Sequence, residues 1–185
     1  IFLGLLLAGI TFLFLALSFS LVYTRVQNGN PPIQLPGIFV FNTLILIGSS
    51  LTLMWAKKSY LNDHTENYTR ALQLTIGLTL FFLIAQSIGW YQLFQQESTL
   101  EQSNALGYLY LISFVHFGHV IAGLPFLILF VRTAKRRMVE PVSVLVYFSD
   151  PEKKLKLKLL TIYWHFLDVL WIYLVLFFWI NYLVR

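Results

Sequence analysis

Five long apolar runs dominate this chain, and their length restricts the solvent in which it can fold. A helix that crosses a bilayer needs about 20 apolar residues, because the hydrocarbon core is ~30 Å thick and a helix rises ~1.5 Å per residue. The runs extend from Ile1 to about Tyr23, Gly37 to Ala56, Ala71 to Phe94, Ala105 to Val131 and Leu159 to Val184. The second is entered through Pro31-Pro32 and Pro36 and closed by Lys57-Lys58. Barrel strands would alternate apolar and polar residues, whereas these segments are apolar on all sides. The expected fold is therefore all-α, a polytopic membrane bundle of five helices forming one membrane domain over residues 1–185. The first run is long enough to span and does not look like a cleavable signal peptide. The chain starts at Ile1 rather than Met, so a short preceding piece is expected.

Composition supports lipid as the solvent. Only 11% of the 185 residues are charged, against roughly 25% in soluble domains. The net charge of +5 does not point to nucleic acid, because the basic residues sit between apolar runs, as orienting charges of membrane proteins do. Anionic lipid headgroups are the nearer partner, with Lys57, Lys58, Arg132, Lys135, Lys156 and Lys158 as candidate contacts. The chain contains no Cys, which removes disulfides, thiolate-held iron–sulfur clusters and Cys-ligated copper.

Eleven of the 13 Lys and Arg residues fall in the second and fourth connections; Arg25 and Arg185 lie on the other side. The positive-inside rule places those two connections and the N-terminus in the cytoplasm, and the C-terminus outside. The sequon Asn67-Tyr68-Thr69 would then lie on the wrong side for glycosylation. Asp150-Pro151-Glu152 has the pattern of an N-cap, a first-turn proline and a first-turn acid, so the last helix should begin near Pro151. Val142 to Phe148 is a short apolar run that fits either the membrane interface or an edge packed on a partner subunit.

Ionisable side chains are costly at membrane depth and mark the place to look for function. Four fall inside the spans, namely His116 and His119 on the fourth and His165 and Asp168 on the fifth. Each pair is spaced i, i+3 and shares a helical face. Counting residues from the cytoplasmic ends puts His119 and Asp168 at similar depth, which predicts an imidazole–carboxylate pair across the two helices. Three uses remain open for the cluster. It can lock helices together, each hydrogen bond contributing about 0.6–2 kcal/mol; it can ligate one haem; or it can carry protons or substrate. The structural use is favoured, because no acid in the first three spans continues a path. Gly118, Gly123 and Pro125 should let the fourth span pack closely and bend. Gly48-Ser49-Ser50 and Ser87-Ile88-Gly89 give the second and third spans small faces. Trp55, Trp90, Trp164 and Trp179 lie toward span ends, as aromatic anchors do. No phosphate loop, nucleophile–base pair or metal-ligand cluster is visible.

The fifth span reads Tyr163-Trp164-His165-Phe166-Leu167-Asp168-Val169-Leu170-Trp171. This resembles the Y-W-H-F-x-D-x-x-W stretch of the cytochrome c oxidase subunit III family. His116-Phe117-Gly118-His119-Val120-Ile121-Ala122-Gly123 is similar to its H-x-x-H-V-x-x-G segment, and Asn42-Thr43 with Trp55-Ala56 to its N-T…W-A helix. The resemblance covers the second to fifth spans and is weaker in the first, and five spans fit the shorter bacterial forms, which resemble the longer ones without their first two helices. It implies a subunit with no metal or cofactor of its own, located in the bacterial inner membrane. Such a subunit packs beside the haem–copper catalytic subunit I of a terminal oxidase, which holds the haem and copper, and it binds structural phospholipid. His116, His119, Trp164, His165, Asp168 and Trp171 form its expected intramembrane polar cluster. An accessory subunit of a nitric oxide reductase, a small b-type cytochrome with haem between the fourth and fifth spans, and a small transporter are the alternatives. Three departures from the family pattern argue against a direct proton-conducting role. Gly9-Ile10 stands near the family's S-E glutamate, Gly89 replaces the acid of Q-x-x-E after Gln86, and Lys57-Lys58 replaces a histidine pair.

Overall fold

The computed structural model describes residues 1–29, 35–97, 104–137 and 141–183. These form six helices: α1 (Phe2–Asn28), α2 (Ile38–Leu61), α3 (Thr65–Glu97), α4 (Asn104–Arg137), α5 (Pro141–Ser149) and α6 (Pro151–Leu183). All but α5 are long and apolar enough to cross a membrane, so the chain is a multi-pass α-helical membrane protein. Pro31-Pro32, Val184 and Arg185 lie outside the described residues.

Every spanning helix outruns the apolar stretch that announced it, because backbone hydrogen bonding does not stop at the hydrocarbon edge. The 33 residues of α6 reach about 50 Å, against a core of ~30 Å. Its first two turns carry Lys153, Lys154, Lys156 and Lys158 beyond the apolar stretch. At the far end of α1, Gly29 adopts the left-handed conformation (φ 60°) and returns its N–H to the Arg25 carbonyl. The Arg25 guanidinium donates to the backbone carbonyl of Asn181 and, at 3.4 Å, to its Oδ1. A cation thus meets the carbonyl end of α6, where the helix dipole is negative.

The α2–α3 turn closes with His64 N–H on the Ser59 carbonyl (3.0 Å) and Asp63 N–H on the Tyr60 carbonyl (3.4 Å). That is the bond pattern of a Schellman motif, with Asp63 (φ 58°) in the left-handed position usually given to glycine. The motif folds α3 back along α2, and these two helices form the most extensive pairing in the molecule. α6 packs against α2 and α4, and α1 lies across α4 and α6.

Two apolar clusters fill the interior. One gathers Phe14, Phe39, Phe82, Ile112, Trp171 and Leu174 from all five spanning helices. The other lies toward the basic end and gathers Leu53, Tyr60, Tyr68, Leu127, Tyr147 and Trp164. α1 commits only one stripe, Ile10, Phe14, Ser18 and Leu21, to the interior. Its remaining large side chains, such as Phe2, Phe12 and Phe19, face outward, as lipid permits.

The expected N-cap of the last helix is present. Glu152 N–H donates to Asp150 Oδ1 at 3.0 Å, and Lys153 Nζ lies 2.8 Å from Asp150 Oδ2. The Lys153 hydrogen bond, with help from the Glu152 and Lys153 backbone N–H groups, holds the Asp150 carboxyl below its usual pKa. A carboxylate whose folded pKa is depressed stabilises the fold fully above its unfolded pKa of about 4 and loses that contribution as pH falls through the lower folded value. Acidification from pH 6 to pH 3 should lower the amide protection factors in the first turn of α6, each exchange rate being taken against the intrinsic rate at the same pH. Asp150→Ala should show the lowered protection already at pH 6.

Candidate functional site

The polar side chains inside the membrane gather where α6 meets α4 on one side and α2 on the other. α4 and α6 are in tight contact at Gly123. A Cβ added there would stand 2.7 Å from Trp164 Cζ3 and 3.0 Å from Tyr163 Cε1. The missing side chain lets the Trp164 indole lie against α4, where it is only 2% exposed. Gly118 has nothing comparable facing it, and α4 remains helical through Pro125. Near this crossing Tyr163 Oη donates to the His119 carbonyl at 2.9 Å. Trp164 Nε1 donates to Ser49 Oγ of α2 at 3.4 Å.

Trp164 is therefore an interior residue, in contrast to the span-end anchor expected from its position in the apolar run. Trp90 is half-buried, with its indole N–H on Ser113 Oγ at 2.9 Å. Trp55 and Trp179 remain exposed to the surroundings.

The four ionisable residues do not meet as their depth suggested. His119 Nδ1 lies 2.7 Å from the Val115 carbonyl one turn back on its own helix, and its ring packs near Phe14 of α1. Asp168 Oδ2 lies 3.9 Å from His165 Nδ1, again on the same helix. His165 Nδ1 is hydrogen-bonded to Ser50 Oγ of α2 at 2.6 Å. The expected His119–Asp168 pair is replaced by a Ser50–His165–Asp168 group that joins α2 to α6. Equal depth was a sound inference, but depth does not set rotation. The Gly123–Trp164 crossing occupies the α4 side of α6, so the polar face around His165 turns to α2.

His116 is wholly buried and enclosed by aromatic rings. Its ring centroid lies 5.1 Å from Trp171, 6.1 Å from Phe82 and 6.4 Å from Phe14. Neither ring nitrogen finds a hydrogen-bond partner among the described residues. Trp171 in turn stacks on Phe39 (5.8 Å, 12°) and meets Phe82 edge-on (5.2 Å, 87°). A haem held between α4 and α6 would need a histidine on each helix turned to a common gap. His116 is instead walled by aromatic rings, His119 is bonded to the Val115 carbonyl of its own helix, and His165 is bonded to α2. The described residues contain no group of three or more His, Cys, Asp or Glu that could hold a metal ion.

Neutral polar residues that the search for ionisable groups passed over do comparable work. Asn42 Nδ2 donates to Gln86 Oε1 at 2.8 Å between α2 and α3, with both side chains fully buried. Thr52 and Thr75 hydroxyls meet at 2.9 Å on the same pair of helices. An amide or hydroxyl inside an apolar span was the available signal in each case. Gly89, which stands where the resemblance led us to expect an acid, has Ile38 Cγ2 3.0 Å and Phe39 Cε2 3.2 Å from an added Cβ. That space belongs to the α2–α3 packing. Of the candidate headgroup contacts, Lys58, Arg132, Lys135, Lys156 and Lys158 are exposed and Lys57 is half-buried. Lys156 also pairs with Glu152 at 2.6 Å.

Five apolar helices with polar side chains buried among them define a multi-pass membrane protein. The pattern of the cytochrome c oxidase subunit III family matches residues 14–182. The chain belongs to that family. A probable cytochrome c oxidase subunit 3 from Rickettsia felis is 33% identical over 144 residues, covering 77% of this chain and 46% of the relative. Cytochrome c oxidase subunit 3 of Papio hamadryas is 28% identical, covering 77% of this chain and 49% of the relative. That of Spodoptera frugiperda is 29% identical, covering 77% and 86%. The chain spans about half the length of most of the curated relatives it matches.

Proposed function

We propose that this chain is a metal-free accessory subunit of a haem–copper terminal oxidase, acting as one membrane domain over residues 1–185. Its partners are the catalytic subunit I, which carries the haem and copper, and neighbouring oxidase subunits. It stabilises that assembly and holds phospholipid, in the bacterial inner membrane with the N-terminus cytoplasmic and the C-terminus outside. The observation that carries this reading is the use made of the family-like motif on α6. Tyr163, Trp164 and His165 each engage a neighbouring helix through backbone or hydroxyl groups. These are bracing contacts, and they leave the outer faces apolar for lipid or subunit packing.

Purification of the assembly through a tag on this chain tests the proposal. Haem and copper should copurify in stoichiometric amount, remain with the partner subunits when this chain is stripped off, and be unaffected by His116→Ala or His119→Ala. Haem bound one-to-one by the isolated chain would overturn it. Asp168→Leu removes the carboxylate beside His165 and should weaken retention of this subunit on detergent extraction. Unchanged retention would show that the carboxylate plays no part in docking.

A further inference from the structure

The short helix α5 divides its residues cleanly between two environments. Val144, Tyr147 and Phe148 share one face and pack into the cluster around Tyr60, Tyr68 and Leu157. Tyr60 Oη donates to the Tyr147 carbonyl at 3.1 Å, and Lys153 Nζ sits 4.6 Å above the Tyr147 ring. The helix is thereby pinned to the ends of α2, α3 and α6. The opposite face presents Leu145 (71% exposed) and Val146 (63% exposed). The adjoining ends of α4 and α6, which flank α5 in the chain, carry the exposed cations Arg132, Lys135 and Arg136, and Lys154 and Lys158. None of these five is in an ion pair among the described residues, whereas Asp150, Glu152 and Glu66 are already paired with Lys153, Lys156 and Arg70.

We infer that α5 is an in-plane membrane anchor, with Leu145 and Val146 inserted at the headgroup–acyl boundary of an anionic leaflet and the flanking cations on its phosphates. The charge argues for this occupant. An apolar face flanked, on the adjoining helix ends, by Lys and Arg without ion-pair partners among the described residues complements a surface that is apolar below and negative above, which is the structure of an anionic lipid leaflet. Covalent pinning to α6 through the Ser149–Asp150 link sets its depth, since the lysines of the first α6 turns must stay at the headgroups. The inference rests on the membrane-spanning fold and not on the oxidase partnership.

The chain's lack of cysteine makes a single-site label straightforward. A nitroxide on Leu145→Cys, in the full chain reconstituted into phosphatidylglycerol–phosphatidylcholine nanodiscs, should relax faster with oxygen than with a water-soluble nickel chelate. It should report a depth of about 5–10 Å below the phosphates. A label on exposed Ile121→Cys in α4, about 15 Å inside the Val131 end of the apolar run, serves as the deep reference. In pure phosphatidylcholine, or with Lys154→Gln and Lys158→Gln, the Leu145→Cys label should shift outward. Preferential access by the nickel chelate would overturn the inference, as would an immobilised label shielded from both reagents, which would mean polypeptide covers the face. Equal depth in the two lipid compositions would also overturn it. Each of these results leaves metal copurification, and so the oxidase reading, untouched.

Discussion

Gly123→Leu should separate α4 from α6 and abolish stable incorporation of the subunit, the largest loss expected from any single substitution in the spanning helices. Lipid is as apolar as leucine, so helices in a bilayer are held by close packing and hydrogen bonds, with little gain from burying apolar surface. At Gly123 α4 and α6 pack so tightly that even a methyl group would stand 2.7 Å from the Trp164 ring. The obstruction is not a flexible chain end. The indole is buried and its N–H is directed to Ser49, while the Tyr163 phenol beside it is tied to the His119 carbonyl. Gly123→Ala alone should cost about 1–3 kcal/mol, as overpacking of a dense interior does. Trp164→Phe in that background should recover part of the loss, since the two substitutions share one contact and will not add. Thermal unfolding in detergent and the yield of subunit retained by the assembly both measure this. An Ala variant as stable as the parent would show that the crossing is looser than described.

Trp171→Ala should be nearly as damaging, for the opposite reason of a void. Trp171 is fully buried and touches Phe39 of α2, Phe82 of α3 and His116 of α4 at once. Truncating a buried aromatic residue to Ala costs about 3–5 kcal/mol in water-soluble proteins. In a bilayer the transfer part of that figure is reduced, while the lost dispersion contacts and cavity remain. A loss of about 2–4 kcal/mol is expected on this basis. Trp179, two turns further along α6 and 55% exposed, is the internal control. Trp179→Ala should leave the unfolding midpoint nearly unchanged. Similar midpoints for the two variants would refute the central role assigned to the Trp171 cluster.

The two predictions depend on different kinds of information. The motif around Trp164 and Trp171 was visible in the sequence, and so was the small residue at Gly123. That one tryptophan fits against that glycine, and the other fills the space among three helices, was not. Both tryptophans sit in the same long apolar run, with His165 and Asp168 between them, and position along the run suggested an interfacial anchor for Trp164. Likewise the i, i+3 spacing correctly put His165 and Asp168 on one face, yet it could not say that this face turns to Ser50. α5 shows the same division. Its apolar character was legible, but the choice between packed and exposed faces depended on where Tyr60 and Tyr68 ended up.

What the sequence determined by itself was the all-α membrane class, the number of spans, the cap at Asp150 and the family pattern. These follow from local quantities: the solvation cost of each residue, run length against bilayer thickness, and hydrogen bonds within one turn. The tertiary structure decided which polar group answers which. In water an amphipathic face tells a helix how to rotate, but in lipid nearly every face is apolar. Rotation is then set by steric fit at a few sites such as Gly123 and Gly89, a property of two surfaces together that no single segment contains.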